Sequence, residues 1–342
     1  MNLSNHNILV VTSTVEDYLS VTLLHGLKSL LSPTQVTDFP KCETLYRGNL
    51  FHSIYGRGFT VFGLIEDTPV DRWHIYEKLI TAEFSLIIFA DIHRTFGTYI
   101  EFLPYLTYQN TIILDGADAP QPYPYAGKWW RYPPYWFVPK AHTRFLYFKR
   151  EWTEETIRNL WYQVLPNWLC KYIPTPKNFR PISFSIPEEK IVKSLPVKTK
   201  LFPKHIVDPE VARQVEGSQT SYAFESERAY YADLQAAKFG ITTKRSGWDC
   251  LRHYEIAANG CVPCFRDLDK KPKTCAPHGL NETNCIVYHS YDDLMNRISG
   301  LNEQDYKDLQ ANAWKWAKKN STIERVKQVL QIHQKAICKN KP

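Results

Sequence analysis

The chain predicts an α/β protein built from two Rossmann-like lobes with a cleft between them. Three observations carry that reading. Short apolar runs alternate with amphipathic segments of helical length, first over residues 7–169 and again over 181–337. A proline-containing connection, residues 174–181, separates the two series. The stretch YYADLQAAKFGITTKRSGWDCLRHYEIAANGCVPCFRDL, residues 230–268, runs helix, strand, turn, helix, strand, the order of a parallel βαβ unit.

The first lobe is assigned to residues 1–175 and opens with NILVVT, residues 7–12, a strand of the buried type. A turn at Ser13-Thr14 leads into a helix over 16–31, with Leu19, Leu23, Leu24, Leu27 and Leu30 on one side. Strands are expected at 36–39, 59–64, 85–90 and 111–114, and helices at 71–81 and 99–106. The first turn has no G-x-G-x-x-G, which argues against a dinucleotide site, and Gly56-Arg-Gly58 is a loop fragment in the wrong place. Ligands of such sheets bind beyond the carboxyl ends of the strands, where the loops 13–17 and 115–118 lie. Asp115 and Asp118 are therefore candidate general bases for an acceptor hydroxyl, although DGAD reads first as a turn with its cap. Asp91 and His93, after the strand at 85–90, are weaker candidates of the same kind.

Residues 121–152 are aromatic and rich in proline, which forbids a long helix. They suit an acceptor platform, a peripheral contact with the inner face of a membrane, or a cover for the sheet edge. A helix over 151–169, with Trp152, Ile157, Leu160, Trp161 and Leu165 on its apolar side, closes the lobe.

The second lobe is assigned to 180–320, opening with a strand at 181–186. Lys204 and His205 precede a helix at 209–215; the lysine is a candidate for donor phosphates and the histidine a catalytic candidate, although a lone histidine is more often structural. A strand at 220–224 and a helix at 228–238 lead to the strand at 239–243. Ser246-Gly247 reads as the N-cap of a helix over 248–259, with Asp249 at the capping-box position and Gly260 as its stop. Strands at 261–265 and 284–288 and helices at 291–299, 303–318 and 322–337 follow. The last helix, within residues 321–342, is expected to cross back to the first lobe.

Composition bounds the function. The 342 residues hold two ordinary domains, and 44% hydrophobic with 23% charged residues marks a folded chain. A net charge of +7 suits an anionic ligand, but no basic strip or RNA-binding signature points to nucleic acid. No signal-type or membrane-spanning apolar run is visible, so a cytoplasmic protein with reduced cysteines is expected. Cys261 and Cys264 form C-x-x-C, but on a strand they face opposite sides, so buried thiols are expected rather than a metal centre.

The chemistry gathers at the second helix of the 230–268 stretch. A helix start at Gly247 and Trp248 presents outward N–H groups and a dipole that favours an anion, and Lys244 adds positive charge. Arg252 and Glu255 lie three apart and share a helix face, which suits a phosphate beside a pair of sugar hydroxyls, or a pairing only with each other.

GWDCLRHYEIAANGCVPCF, residues 247–265, resembles the donor-binding segment of GT-B glycosyltransferases, with its closest echoes in the spore-maturation-protein-like (CgeB-like), exostosin-like and group 1 members. In that pattern Glu255 resembles the glutamate that holds the ribose hydroxyls of a nucleotide sugar. The run AANGCVP, residues 257–263, resembles the small-residue helix end. Retaining members often carry another Glu eight positions before; here that position is Gly247. The resemblance implies a metal-independent transfer from a nucleotide-sugar donor, as substrate rather than cofactor, to a glycan or other hydroxyl acceptor. Its donor site would use Lys204, Lys244, Ser246, Gly247, Trp248, Arg252 and Glu255. The alternative is a protein that keeps the fold and binds nucleotide or carbohydrate without turnover.

Overall fold

The computed structural model describes residues 7–48, 59–123, 140–158, 166–174 and 176–339. Its first half is one parallel sheet. β1 (Ile8–Val11) is four fully buried apolar residues, and α1 (Tyr18–Leu30) follows. Asp17 caps that helix, accepting the N–H groups of Leu19 at 2.7 Å and Ser20 at 3.3 Å. β2 (Val36–Phe39), α2 (Ile75–Ile80), β3 (Leu86–Phe89), α3 (Ile92–Phe102) and β4 (Thr111–Asp115) continue the alternation. α4 (Ala141–Arg144), β5 (Leu146–Lys149), α5 (Glu154–Arg158), α6 (Asn167–Cys170) and β6 (Phe179–Pro181) complete it. The strand order is β2-β1-β3-β4-β5-β6, all parallel. The chain leaves β1 on one side for β2 and returns on the other for β3, so a topological switch point lies between β1 and β3.

The second half holds α7 (Pro209–Gln214), α8 (Glu227–Ala236), β7 (Phe239–Thr242), α9 (Leu251–Ala258), β8 (Val262–Arg266) and β9 (Ile286–Tyr288). The three strands form a parallel sheet in chain order. α10 (Tyr291–Ser299), α11 (Glu303–Lys319) and α12 (Thr322–Lys339) end the chain. α12 lies against α1. A Cβ on Gly26 would come within 2.3 Å of the Thr322 carbonyl oxygen, so only glycine permits this approach. His25 Nδ1 meets Thr322 Oγ1 at 2.9 Å in the same contact.

One apolar cluster joins the halves, running from Ile8, Leu24 and Ile112 through Phe184 to Tyr254, Trp316 and Val329. A second covers the opposite face of the first sheet, with Phe89, Tyr99 and Tyr147. A third, with Phe239, Val262 and Leu294, lies within the second half.

Several expectations are corrected. Residues 59–64 form turns, not a strand: Thr60 and Gly63 have φ of 74° and 61°, and only Ile65 bridges, to Tyr46. Residues 220–224 are a bend at 220–221 followed by irregular chain, not a strand. The helix expected at 99–106 begins at Ile92, because Asp91 accepts the His93 N–H and starts it. The strand expected at 181–186 is displaced: β6 ends at Pro181 and belongs to the first sheet. β5 was hidden inside the aromatic segment, half of which (124–139) lies outside the described residues. In the helix expected at 151–169, Leu160, Trp161 and Leu165 also lie outside them; α5 and α6 flank that gap.

Candidate functional site: the cleft between the sheets

α9 begins at Leu251, not Trp248, and its cap position is Cys250. The expected Ser246 cap and the capping box at Asp249 are therefore wrong. Asp249 is instead buried, accepting the Phe184 N–H at 2.8 Å and the Tyr254 hydroxyl at 2.9 Å. Residues 245–250 consequently form a free-standing turn between β7 and α9, and this turn reaches across to the first sheet.

It meets the loops that leave the carboxyl ends of β1, β3, β4 and β5. Together they enclose a cleft of about 430 Å³. The first half contributes Glu16, Asp17, Arg94, Gly116, Asp118 and Arg150, and the second contributes Arg245, Ser246, Gly247 and Cys250 to Arg252. Arg150 is the hub. Its guanidinium donates to the Gly116 carbonyl at 2.9 and 3.0 Å, to the Asp249 carbonyl at 3.0 Å and to Glu151 at 3.2 Å, and it pairs with Asp118. It also stacks on the Phe184 ring at 4.5 Å. Glu151 in turn accepts the Asp249 N–H at 2.9 Å. One buried cation thus ties three carboxyl-bearing residues and both halves. Burial pushes the Glu151 and Asp249 carboxyls above their usual range, with Arg150 opposing it.

Gly247 is inserted between the carboxylates of this cluster. A Cβ there would lie 2.6 Å from Asp118 Oδ1 and 2.7 Å from Glu151 Oε1. At the switch point, Arg94 bridges Asp17 at 3.1 Å and Asp91 at 2.6 Å. Burial and the neighbouring Asp17 raise the Asp91 carboxyl to about 6 against the pull of Arg94.

Of the residues predicted from sequence, Asp118, Ser246, Gly247 and Arg252 line this cleft. The others stand elsewhere. Asp115 is fully buried under the sheet end, paired with Lys149 at 3.0 Å and accepting the Tyr147 hydroxyl at 2.5 Å, so it is structural. His205 is buried with Nδ1 at 2.9 Å from the Ser221 carbonyl. Burial, followed by Arg252, lowers it to about 4, so it is neutral at pH 7. The Lys204 side chain is exposed, and its backbone N–H donates to Asp233. Lys244 lies over the Trp248 ring at 5.2 Å, and both face a separate hollow with Asp267 and Lys270.

Glu255 lies one turn of α9 beyond Arg252 and is 7% exposed. It does not pair with Arg252 in a simple solvated couple. Oε1 accepts the Thr60 hydroxyl at 2.6 Å and Oε2 the Tyr230 hydroxyl at 2.7 Å. Thr60 also meets Tyr231 at 2.6 Å, and its N–H donates to Glu227 at 2.8 Å. Phe59, Tyr222 and Tyr230 pack as rings around this carboxylate.

Sequence reasoning missed Arg94, Arg150, Glu151 and Asp249. A signal existed for Arg150 and Glu151: they directly follow LYFK, an apolar run ending at a strand's carboxyl end. Among the described residues, the one grouping of three metal-type ligands is Asp267, Asp269 and His289, away from the cleft and without cysteine.

Two solved structures share this architecture. The Anabaena protein HepE, determined in complex with UDP and glucose, superposes with a TM-score of 0.51 at 10% identity, covering 96% of this chain and 99% of its own. A glycosyltransferase from Rickettsia africae superposes with a TM-score of 0.52 at 10% identity, covering 98% and 100%. The fold is GT-B-like. The GT-B cleft here is thus the space between the carboxyl ends of the first sheet and the 245–252 turn. No family model matches the chain. No curated protein matches it either. No described helix is long and apolar enough to cross a membrane.

Proposed function

We propose that the protein is a glycosyltransferase that moves a sugar from a nucleotide-sugar donor to a hydroxyl of a glycan or other acceptor. The observation that carries this is the cleft: arginines of the second lobe, Arg245 and Arg252, face Asp118 and Arg150 of the first across a GT-B-like frame.

The donor's diphosphate meets the start of α9, at Cys250 to Arg252, where helix N–H groups and Arg252 favour an anion. Arg245 and Arg252 supply the positive charge that a leaving nucleoside diphosphate requires, with neither metal nor cofactor in the step. Glu255, one turn further along, holds the ribose hydroxyls once Thr60 has withdrawn. Asp118 is the base candidate: it lies in the cleft with its side chain 45% exposed, and Arg150 holds it in place. The acceptor enters from the first lobe.

A second reading, a fold-keeping binder without turnover, is favoured by one observation: both Glu255 oxygens are already engaged by protein hydroxyls. A thermal-shift panel of UDP, GDP, CMP, ADP and their sugars separates the cases when followed by donor hydrolysis. Saturation at a hundredfold the dissociation constant stabilises the fold by about 2.7 kcal/mol. A rise with one nucleotide plus slow hydrolysis of its sugar supports the transferase, and a rise without hydrolysis under any acceptor supports the binder. A flat panel rejects both.

A further inference from the structure

A second cleft, of about 610 Å³, opens between α11, α12 and the loop 278–284, away from the GT-B cleft. Its wall carries Lys315, Lys319, Arg325 and Lys327 against a single carboxylate, Glu324, which pairs with Lys327 at 2.7 Å. That leaves an excess of three positive charges. His278, also on the wall, is lowered by burial to about 4 and adds no charge at pH 7.

Arg325 is the informative member. It is 5% exposed, yet among the described residues no carboxylate lies within ion-pair distance of it, and the buried Asp249 carboxylate acts on it only at longer range. Its guanidinium donates only to neutral oxygens: Gln328 and Asn320 at 2.5 Å each, and the Phe184 carbonyl at 3.4 Å. Its Nε and the Nε2 of His278 are buried without a partner. A buried cation ordinarily carries an ion-pair partner, because desolvating the charge costs several kcal/mol. Here no described carboxylate pairs with it directly, and the more distant charge of Asp249 does not offset its burial. Lys315 and Lys319, exposed on the same wall, likewise have no ion-pair partner among the described residues. The rest of the lining is rich in amides, with five Asn and Gln side chains, which suit hydroxyl groups.

We propose that this cleft binds a phosphomonoester carried on a small polyhydroxyl molecule, a sugar phosphate in class. Lys315 and Lys319 neutralise the dianion at the mouth, Arg325 supplies the charge behind it, and the amides meet the hydroxyls. The site is independent of the donor reading, since it shares no lining residue with the GT-B cleft.

The test is calorimetric titration of the full chain, at constant ionic strength, with inorganic phosphate and with a hexose 6-phosphate. The variants are Lys315→Glu/Lys319→Glu and, as a control in the other cleft, Arg252→Ala. The lysines are exposed, so their reversal leaves the fold intact, which circular dichroism confirms. The expected result is saturable binding of the hexose phosphate, at least tenfold weaker in the lysine variant and unchanged in Arg252→Ala. Tighter binding of the hexose phosphate than of phosphate supports the sugar-phosphate class, and equal affinity reduces the site to one for free phosphate and overturns that class. No binding at millimolar ligand, or loss only in Arg252→Ala, overturns the site altogether.

Discussion

Thr60 donates its hydroxyl to Glu255 at 2.6 Å, joining residues of the two halves that lie 195 positions apart in the chain. Thr60 holds φ of 74° to do so. For a β-branched residue this conformation is costly, on the order of 1–3 kcal/mol. The contact occupies the carboxylate proposed to hold the donor ribose, so nucleotide and Thr60 compete for it.

Thr60→Val keeps the shape and removes the competitor at Oε1, leaving Tyr230 on Oε2. One neutral-to-charged hydrogen bond lost from the empty protein is about 1.5–3 kcal/mol, so the nucleotide found by the thermal panel binds roughly 10–150-fold tighter. Glu255→Gln has the opposite outcome, a loss of at least about tenfold, because an amide cannot accept two sugar hydroxyls at both positions. Calorimetry on both variants reads the pair, and equal affinities in the two would remove Glu255 from the donor site.

Gly247→Ala forces a methyl against Asp118 and Glu151. Destabilisation of about 1–3 kcal/mol is expected, the usual cost of overpacking. Gly97→Ala is the matched control: it lies inside α3 with nothing within 4 Å of a Cβ, and gains up to about 1 kcal/mol. Urea unfolding compares them, and a neutral Gly247→Ala would show that the turn moves freely.

Arg150→Gln leaves Glu151 buried without its paired cation and Asp249 with only the weaker influence of Arg325. Breaking a buried pair from one side costs about 3–5 kcal/mol. Because Arg150 joins both halves, unfolding should also lose cooperativity; a single sharp transition at the wild-type midpoint contradicts its role as the hub.

Asp91 sets a pH dependence. Its carboxyl is raised from 3.8 to about 6 in the folded protein, chiefly by burial. The unfolded carboxyl ionises first, so the stability from this group is complete below pH ~4 and is lost as pH rises through about 6. Asp91→Asn removes that loss. The stability difference between variant and wild type should therefore grow in the variant's favour between pH 4 and 7, by on the order of 2–3 kcal/mol. A pH-independent difference would place the Asp91 carboxyl in its ordinary range.

Much of the fold was legible because it rests on local patterns. The strands at Ile8, Val36, Leu86 and Thr111 announced themselves as buried apolar runs, and the helices at Tyr291, Glu303 and Thr322 as amphipathic periods. β5 was not legible, because its apolar run is embedded among prolines and aromatic residues that point to irregular chain. The 59–64 run failed for a different reason: its apolar side chains, Val61 and Leu64 among them, are buried in turns, and burial does not require a strand.

What the sequence by itself determined is the alternation of strands and helices, the two lobes and the helix that carries Arg252 and Glu255. Only the tertiary structure decided that Arg150, and not Asp115, stands at the centre of the cleft. It also decided that Glu255 answers to Thr60. Alternation and periodicity are properties of neighbours in the chain, whereas a buried charge takes its partners from wherever the fold brings oxygen within 3 Å, and no spacing in the sequence records that.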